Sequence, residues 1–203
     1  MWQTANQMEF GNPLSVCQGI YTSRGNFPTD EKLENLGVQS SVCFGQGDFR
    51  TSPVHIAAYM NIFANNGIYV CPQIAEGIFS GQTGIMTEEL YNKKTKRVIS
   101  ADTAKTVKDM LIKVCQEGAG QRAKPGFLSA GGKTGTAQTG KKKEDGQEIF
   151  TAWYCGFCPA DNPQYVICIT SYDGGESTYT VAPLFKKICD CIYYMKYADN
   201  SAA

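Results

Sequence analysis

The spacing of apolar residues predicts three amphipathic helices, and the first follows an N-cap at Thr51 or Ser52. Pro53 suits its first turn, and the sequence Asn-Asn-Gly at 65–67 is a typical helix stop. Its predicted apolar face consists of Ile56, Ala57, Met60, Phe63 and Ala64.

The second and third predicted helices have clearer patterns than the first. The second begins after an N-cap at Ser100 or Asp102 and ends at Gly118, and the third begins near Thr180. The predicted apolar positions of the second are Val107, Met110, Leu111, Val114 and Cys115. Those of the third are Leu184, Phe185, Ile188, Ile192 and Met195.

Between these two helices the pattern changes to that of strands. One strand-like run surrounds Lys133, and two more cover about 150–157 and 165–170, with a charged hairpin tip at 141–146. Residues 68–99 have the pattern of short strands and turns, and residues 1–50 show no long periodic element. Helices followed by an antiparallel meander and a final helix indicate an α+β fold rather than alternating βαβ units.

Composition excludes several classes of partner. The 203 residues contain 19 basic and 19 acidic side chains, so the balanced charge predicts no nucleic-acid or anionic-membrane partner. No run approaches the roughly 18 apolar residues that a membrane-crossing helix needs. The first residues do not have the pattern of a signal peptide. Either the protein is cytosolic, or its targeting segment lies outside this sequence.

The nine cysteines raise the question of metal or redox chemistry. Cys155 and Cys158 have the spacing of a redox pair or of half a metal site, but no second such pair follows and His55, the one histidine, is far away in sequence. The pattern therefore favours cysteines that serve as small buried side chains, Cys189 and Cys191 included, and predicts no metal and no cofactor. A metal-binding or redox protein built on this motif is the alternative interpretation.

The sequence Gly132-Lys133-Thr134 looks at first like the end of a phosphate-binding loop. That loop requires a glycine at the position of Phe127, and a helix rather than a strand must follow it. Both requirements fail. In an ideal strand Lys133 and Gly135 face one side and Thr134 and Thr136 the other, and a twist or bulge at Gly135 would bring the four residues around one edge of a cleft.

Lys-Thr-Gly is one of three signature elements of serine acyl-transferases that bind β-lactams. Further segments follow in matching order, and together they resemble the C-terminal half of a class B penicillin-binding protein transpeptidase domain. The matching segments are GQGD (45–48), SPVH (52–55), ANNG (64–67), AGGKTGTAQ (130–138), AWYCGFCP (152–159) and APLFKKI (182–188). The second segment is a looser match, since Ser52, Val54 and His55 stand where the family has Thr, Leu and Gln.

The resemblance implies a partial transpeptidase fold in which the three later strands of an antiparallel sheet are flanked by helices. It makes 1–203 the C-terminal portion of a single domain, with 1–50 irregular, 51–118 a helical subregion, and 130–197 a strand meander plus the final helix. The expected ligand is a peptidoglycan stem peptide ending in D-Ala-D-Ala, or a β-lactam. The activity implied for the parent protein is D,D-transpeptidation outside the cytoplasmic membrane, to which an N-terminal helix anchors the protein.

The resemblance also assigns roles at the site. Lys133 acts electrostatically on the substrate carboxylate and on the proton network. The hydroxyls of Thr134 and Thr136 bind that carboxylate, and Gly135 lets the ligand approach closely. The backbone N–H of Thr136 is one donor of the oxyanion hole. Lys133 and Thr136 are thus the predicted catalytic residues, and Thr134, Gly135 and Thr136 the predicted substrate-binding ones.

Two signature elements of the family are absent from these 203 residues: no Ser-x-x-Lys and no Ser-x-Asn occurs. In the family both lie upstream of the GQG segment, so the chain is expected to begin after them, to be inactive alone and to need the missing half of the domain as a partner. Its sheet is expected to have an uncovered edge and its stability to be marginal. A non-catalytic binding or scaffold module in cell-wall assembly is the second hypothesis.

Overall fold

The computed structural model describes residues 2–90 and 94–198, without the side chains of Trp2, Tyr197 and Ala198. The chain folds into two compact units. The first comprises Met1–Ile62 and Ile68–Val98, and the second comprises Phe63–Gly67 and Ile99–Ala203. Each unit has its own secondary structure and its own buried side chains.

The first unit is made of short elements. In chain order these are α1 (Trp2–Gln7), β1 (Ser15–Cys17), β2 (Ile20–Tyr21), α2 (Asp30–Leu33), α3 (Leu36–Cys43), most of α4 (Pro53–Ala64), β3 (Ile68–Val70), β4 (Gly77–Phe79), β5 (Met86–Glu89) and β6 (Thr95–Arg97). The strands form antiparallel pairs, β1 with β2, β3 with β6 and β4 with β5. The pattern of residues 1–50 did not predict the helices found there, and none of the residues of α3 is buried.

Helix α4 confirms the prediction of a helix after Pro53, but it buries a different face. Its buried residues are His55, Ala58, Tyr59, Met60 and Ile62, so Met60 alone of the predicted apolar positions is buried. The reason is an aromatic cluster from the preceding segment. The ring of Phe10 lies 3.9 Å from that of Tyr59 and also contacts Phe27 at 5.5 Å and Phe49 at 5.2 Å. These contacts turn the Tyr59 side of the helix inward.

His55 is 1% exposed and hydrogen-bonded at both ring nitrogens. Its Nε2 lies 2.8 Å from the carbonyl oxygen of Asn12, and its Nδ1 lies 2.7 Å from the hydroxyl of Ser52. Because a carbonyl can only accept, Nε2 carries the proton and Nδ1 accepts from Ser52. His55 therefore has a packing role in the first unit, and the pairing gives Ser52 and His55 a structural reason to occur together.

We expect His55→Ala to destabilise the first unit by about 2–4 kcal/mol, because it opens a cavity and leaves the Asn12 carbonyl without its buried donor. Urea unfolding followed by tyrosine fluorescence measures the change. Val54→Ala is the matched control, since Val54 is the neighbouring exposed residue of the same helix. Equal urea midpoints for the two variants would contradict the role assigned to His55.

The second unit confirms the predicted antiparallel meander. It contains α5 (Ala101–Gln116), a 3₁₀ turn (Gln121–Ala123), β7 (Gly131–Lys142), β8 (Glu148–Cys158), β9 (Tyr165–Tyr172), α6 (Val181–Tyr193) and a π-helical turn (Tyr194–Ala198). The sheet order is β7-β8-β9. Strands β7 and β8 extend into the predicted tip, so the turn lies at 143–147 with Gly146 at φ +84°. The observed α+β architecture agrees with the fold class predicted from the sequence.

The core of this unit lies between the sheet and α6. Tyr154 of β8 is fully buried, its ring lies 4.7 Å from that of Phe185, and its hydroxyl lies 2.9 Å from the Cys115 sulfur of α5. Burial raises the pKa of the Cys115 thiol, whereas the hydrogen bond to Tyr154 opposes that change. The cluster comprises Cys115, Ala123, Ala130, Ala152, Tyr154, Cys158, Val181, Ala182, Phe185 and Cys189.

Both helices of this unit differ in part from their predicted apolar faces. Helix α5 has its cap at Ser100, whose hydroxyl accepts from the Thr103 N–H at 3.1 Å, but Met110 on its predicted face is 59% exposed. Helix α6 buries Val181, Ala182, Phe185 and Cys189, whereas Leu184 is 46% and Ile188 is 40% exposed. Small residues such as Ala182 and Cys189 face the sheet because they allow the helix to approach it closely.

Candidate active site

The four residues Lys133, Thr134, Gly135 and Thr136 lie in regular strand conformation on β7. Their pairing with β8 is continuous, from Lys133 opposite Cys155 to Thr136 opposite Ala152. The predicted alternation is therefore confirmed, and the bulge considered at Gly135 is wrong, because the register shifts only after Gln138. A strand continues through and beyond Lys133, which excludes a phosphate loop on structural grounds as well.

Strand β7 is at the end of the sheet order, so within the described residues one of its edges has no partner strand. Lys133 is exposed and folds back along its own strand, where its Nζ donates to the Thr134 carbonyl at 3.0 Å and lies 3.5 Å from the Thr134 hydroxyl. The ammonium group is thereby held beside a threonine hydroxyl at the open edge of the sheet.

Thr136 is tied to the loop between β9 and α6. Its hydroxyl lies 3.1 Å from the hydroxyl of Ser177 and also accepts from the Ser177 backbone N–H at 3.4 Å. Ser177 is 3% exposed, although serine is seldom buried, and its carbonyl accepts from Ala182 N–H at 3.0 Å at the start of α6. The sequence analysis missed Ser177, and no local pattern could have indicated it.

The same loop presents an exposed aromatic side chain near this site. Tyr179, two positions after Ser177, stacks with Arg122 at a distance of 4.5 Å between the guanidinium carbon and the ring centre. A cation over an aromatic face is an attractive arrangement. Arg122 and Tyr179 therefore restrain the outer part of the loop, while Ser177 restrains its inner part against Thr136.

The glycines of this strand have two different structural roles. A Cβ added to Gly132 would lie 2.6 Å from the Tyr154 hydroxyl and 2.8 Å from the Cys155 carbonyl oxygen, so packing against β8 requires glycine there. A Cβ at Gly135 would meet only the Trp153 Cβ at an ordinary 3.5 Å. No packing contact within the described chain therefore requires glycine at position 135.

The structure separates the two thiols of the Cys155-x-x-Cys158 motif. Cys155 hydrogen-bonds to its cross-strand partner Cys168, whereas the Cys158 sulfur contacts that of Cys189 on α6. Positions an odd number apart in a strand face opposite sides of the sheet, so the motif does not form one site. Within residues 2–90 and 94–198, no group of three or more His, Cys, Asp or Glu side chains is arranged to hold a metal ion.

The prediction that cysteines serve as small buried residues is confirmed for most of the second unit. Cys115, Cys155, Cys158 and Cys189 are buried, but Cys191 is exposed, so the prediction for that residue is wrong. The reason is geometric, because Cys189 lies on the side of α6 that faces the sheet and a step of two positions along a helix leads away from that side.

Comparison with known proteins identifies the family. The penicillin binding protein transpeptidase domain, as a family model, matches residues 1–190. The chain belongs to the penicillin-binding protein transpeptidase family. Among its curated relatives, Stage V sporulation protein D of Bacillus subtilis is 32% identical over 68% of this chain and 21% of its own length. Peptidoglycan D,D-transpeptidase MrdA of Acinetobacter baumannii is 27% identical over 94% of this chain and 30% of its own length.

Solved structures of this family share the fold. Penicillin binding protein 3 from Mycobacterium tuberculosis is 27% identical with a TM-score of 0.79, over 96% of this chain and 46% of that chain. A D,D-transpeptidase domain from Eggerthella lenta has a TM-score of 0.77 over 95% of this chain and 47% of that one. This chain thus spans about half of each solved chain (46% and 47%) and a smaller part of its curated relatives. None of its helices, among the residues described, has both the length and the hydropathy needed to cross a membrane.

Proposed function

We propose that this chain forms the carboxylate-binding wall of a peptidoglycan D,D-transpeptidase active site. The observation that carries the proposal is the Lys133–Thr136 strand, which lies at an open sheet edge with the Thr136 hydroxyl held by Ser177. The terminal carboxylate of a D-Ala-D-Ala stem peptide, or the matching carboxylate of a β-lactam, is the ligand. The Lys133 ammonium supplies positive charge, and the hydroxyls of Thr134 and Thr136 supply hydrogen-bond donors.

The Ser177 contacts support a donor role for Thr136. The Thr136 oxygen accepts the Ser177 backbone N–H, and the Ser177 hydroxyl lies close enough to donate to the same oxygen. When the Thr136 oxygen accepts both bonds, its own proton is directed away from Ser177 and toward the ligand. A hydroxyl that donates to a carboxylate makes a charge-assisted bond, which is stronger than a neutral one. The Thr136 backbone N–H remains our proposed donor to the oxyanion.

The relatives support both the ligand class and the reaction. Penicillin binding protein 3 of M. tuberculosis, 27% identical to this chain, has been solved complexed with aztreonam and with ampicillin. The relative in A. baumannii bears the name of a peptidoglycan D,D-transpeptidase. For this chain we infer the same ligand class and the same reaction, performed in the cell envelope.

Acyl transfer also needs a nucleophile, and we propose that residues outside these 203 supply it. In the reaction, a serine oxygen attacks the peptide carbonyl between the two D-alanines, and the terminal D-alanine leaves with the serine's proton. An amine on a neighbouring peptidoglycan strand then attacks the acyl-enzyme and releases the serine. Within the described residues the outer edge of β9 has no partner strand, and Met110 of α5 is exposed. These two features fit a surface that the missing half of the domain covers.

The test uses the completed domain, by which we mean this chain joined to the upstream sequence of its own gene with Ser-x-x-Lys and Ser-x-Asn. We expect a fluorescent penicillin to acylate it, and Thr136→Val to slow acylation by about 10-fold or more because a charge-assisted hydrogen bond is lost. Thr170→Val, a change at an exposed position of β9 in the same sheet, is the matched control. Equal acylation rates for Thr136→Val and Thr170→Val, or an upstream gene sequence without the two motifs, would contradict the proposal.

A further inference from the structure

Two buried thiols meet where the end of β8 packs against α6. The sulfur atoms of Cys158 and Cys189 are 3.3 Å apart, and neither residue is exposed. Both belong to the core cluster between the sheet and the helix. The packing of that core holds the two sulfurs together, whatever the oxidation state of the thiols.

The two sulfurs are nearly close enough for a disulfide bond. Such a bond is about 2.0 Å long, so they must approach by roughly 1 Å to form one. The hydrogen bond between the thiols lowers the pKa of Cys158, with burial opposing it, and together with burial it raises the pKa of Cys189. Cys158 is therefore the more acidic of the two thiols, and the thiolate is the form that reacts in thiol–disulfide exchange.

The other cysteines of the second unit are placed differently. Cys155 and Cys168 lie on adjacent strands that the sheet already joins, Cys115 contacts the Tyr154 hydroxyl, and Cys191 faces solvent. Among the described thiols of this unit, only Cys158 and Cys189 contact each other across two layers of the fold. A bond between them would add a covalent link between the sheet and α6.

We propose that Cys158 and Cys189 form an intrachain disulfide under oxidising conditions and that this bond pins α6 to the sheet. The oxidant is a low-molecular-weight disulfide such as oxidised glutathione. In a transient local opening that exposes the buried thiols, the Cys158 thiolate attacks one sulfur of the oxidant and releases one glutathione thiol. Cys189 then loses its proton and attacks the Cys158 sulfur, which releases the second. Two cysteine thiols are oxidised and one glutathione disulfide is reduced, so atoms and electrons balance.

The bond would restrain the part of the fold that adjoins the candidate site. It closes a loop between positions 31 apart in sequence, and a cross-link of this kind reduces the freedom of the unfolded chain. The loop that carries Ser177 leads directly into α6, so a pinned helix also limits how far Ser177 can move from Thr136. The inference requires only the two thiols and does not depend on the proposed transpeptidase function.

The test uses the whole chain carrying Cys43→Ser and Cys191→Ser, which removes the two exposed thiols that would otherwise react first. The reduced protein is incubated with oxidised glutathione, its remaining thiols are alkylated in denaturant, and non-reduced peptides are mapped by mass spectrometry. We expect a peptide that links Cys158 to Cys189, and a higher urea midpoint for the oxidised protein than for the reduced one. Adding Cys189→Ser should abolish the linked peptide.

Three results would overturn the proposal. The first is a peptide map in which Cys158 and Cys189 are both alkylated, and the second is a map that links Cys155 to Cys168 instead. The third is an oxidised protein whose urea midpoint is equal to or lower than that of the reduced protein. The peptide map is made on the protein that keeps both buried thiols, and this protein carries no substitution in the core. The test therefore remains decisive even if Cys189→Ser does not fold.

Discussion

Lys133→Ala is expected to lower the rate at which a fluorescent penicillin acylates the completed domain by about 10²- to 10³-fold, a typical cost of losing one electrostatic contact to the reacting groups. The physical reason is that the ammonium group is the positive charge held beside the Thr134 hydroxyl on β7. Because Lys133 is exposed and its hydrogen bonds lie within its own strand, the substitution should leave the urea midpoint almost unchanged.

Lys142→Ala is the matched control, since Lys142 is an exposed lysine at the far end of the same strand. It should acylate at the rate of the unchanged domain. Lys133→Arg keeps the positive charge but changes its geometry, so it should retain more activity than Lys133→Ala. A normal acylation rate for Lys133→Ala in a folded domain would show that Lys133 is not a catalytic residue.

Phe185→Ala is expected to destabilise the second unit by about 3–5 kcal/mol, because a buried aromatic side chain is lost and a cavity remains. Phe185 is fully buried, its ring packs against Tyr154, and a Cβ added to Gly156 would lie 2.9 Å from it. Urea unfolding of the whole chain measures the loss. A midpoint shift smaller than that of a typical surface substitution would contradict the described core.

Leu184→Ala and Ile188→Ala are matched controls that distinguish the observed core from the predicted one. Both residues belong to the face predicted from apolar spacing, yet they are 46% and 40% exposed. In this chain each substitution should lower the free energy of unfolding much less than Phe185→Ala does, because these side chains bury less apolar area on folding. Costs equal to that of Phe185→Ala would indicate that α6 packs with the face predicted from the sequence.

The sequence predicted the long elements well, because in them local patterns and tertiary packing agree. The cap at Ser100, one of the two predicted positions, and the meander of the second unit are examples. The face of α6 was predicted only in part, since apolar spacing favours large residues whereas close packing on the sheet selects small ones such as Ala182 and Cys189. The buried face of α4 could not be predicted, because rings from distant positions such as Phe10 and Phe49 determine it.

The candidate site was also predictable only in part, because local patterns place some of its residues and contacts between distant positions place others. Local chemistry was sufficient to place Lys133, Thr134 and Thr136 on a strand with alternating faces. The contact between Thr136 and Ser177 joins positions 41 apart in sequence and depends on where the loop after β9 returns to the sheet. No local pattern encodes that return. The structure therefore adds Ser177, which positions Thr136, while the roles of Lys133, Thr134 and Thr136 remain predictions.

We propose that the wall of the cleft carrying Lys133 and Thr136 lies in this chain and that the nucleophilic serine does not. The most direct test is intact-mass and peptide analysis after incubation with penicillin, for this chain alone and for the completed domain. We expect no covalent adduct on the chain alone and one adduct on the completed domain, mapped to the serine of Ser-x-x-Lys. A stoichiometric penicilloyl adduct on any residue of these 203 would contradict it.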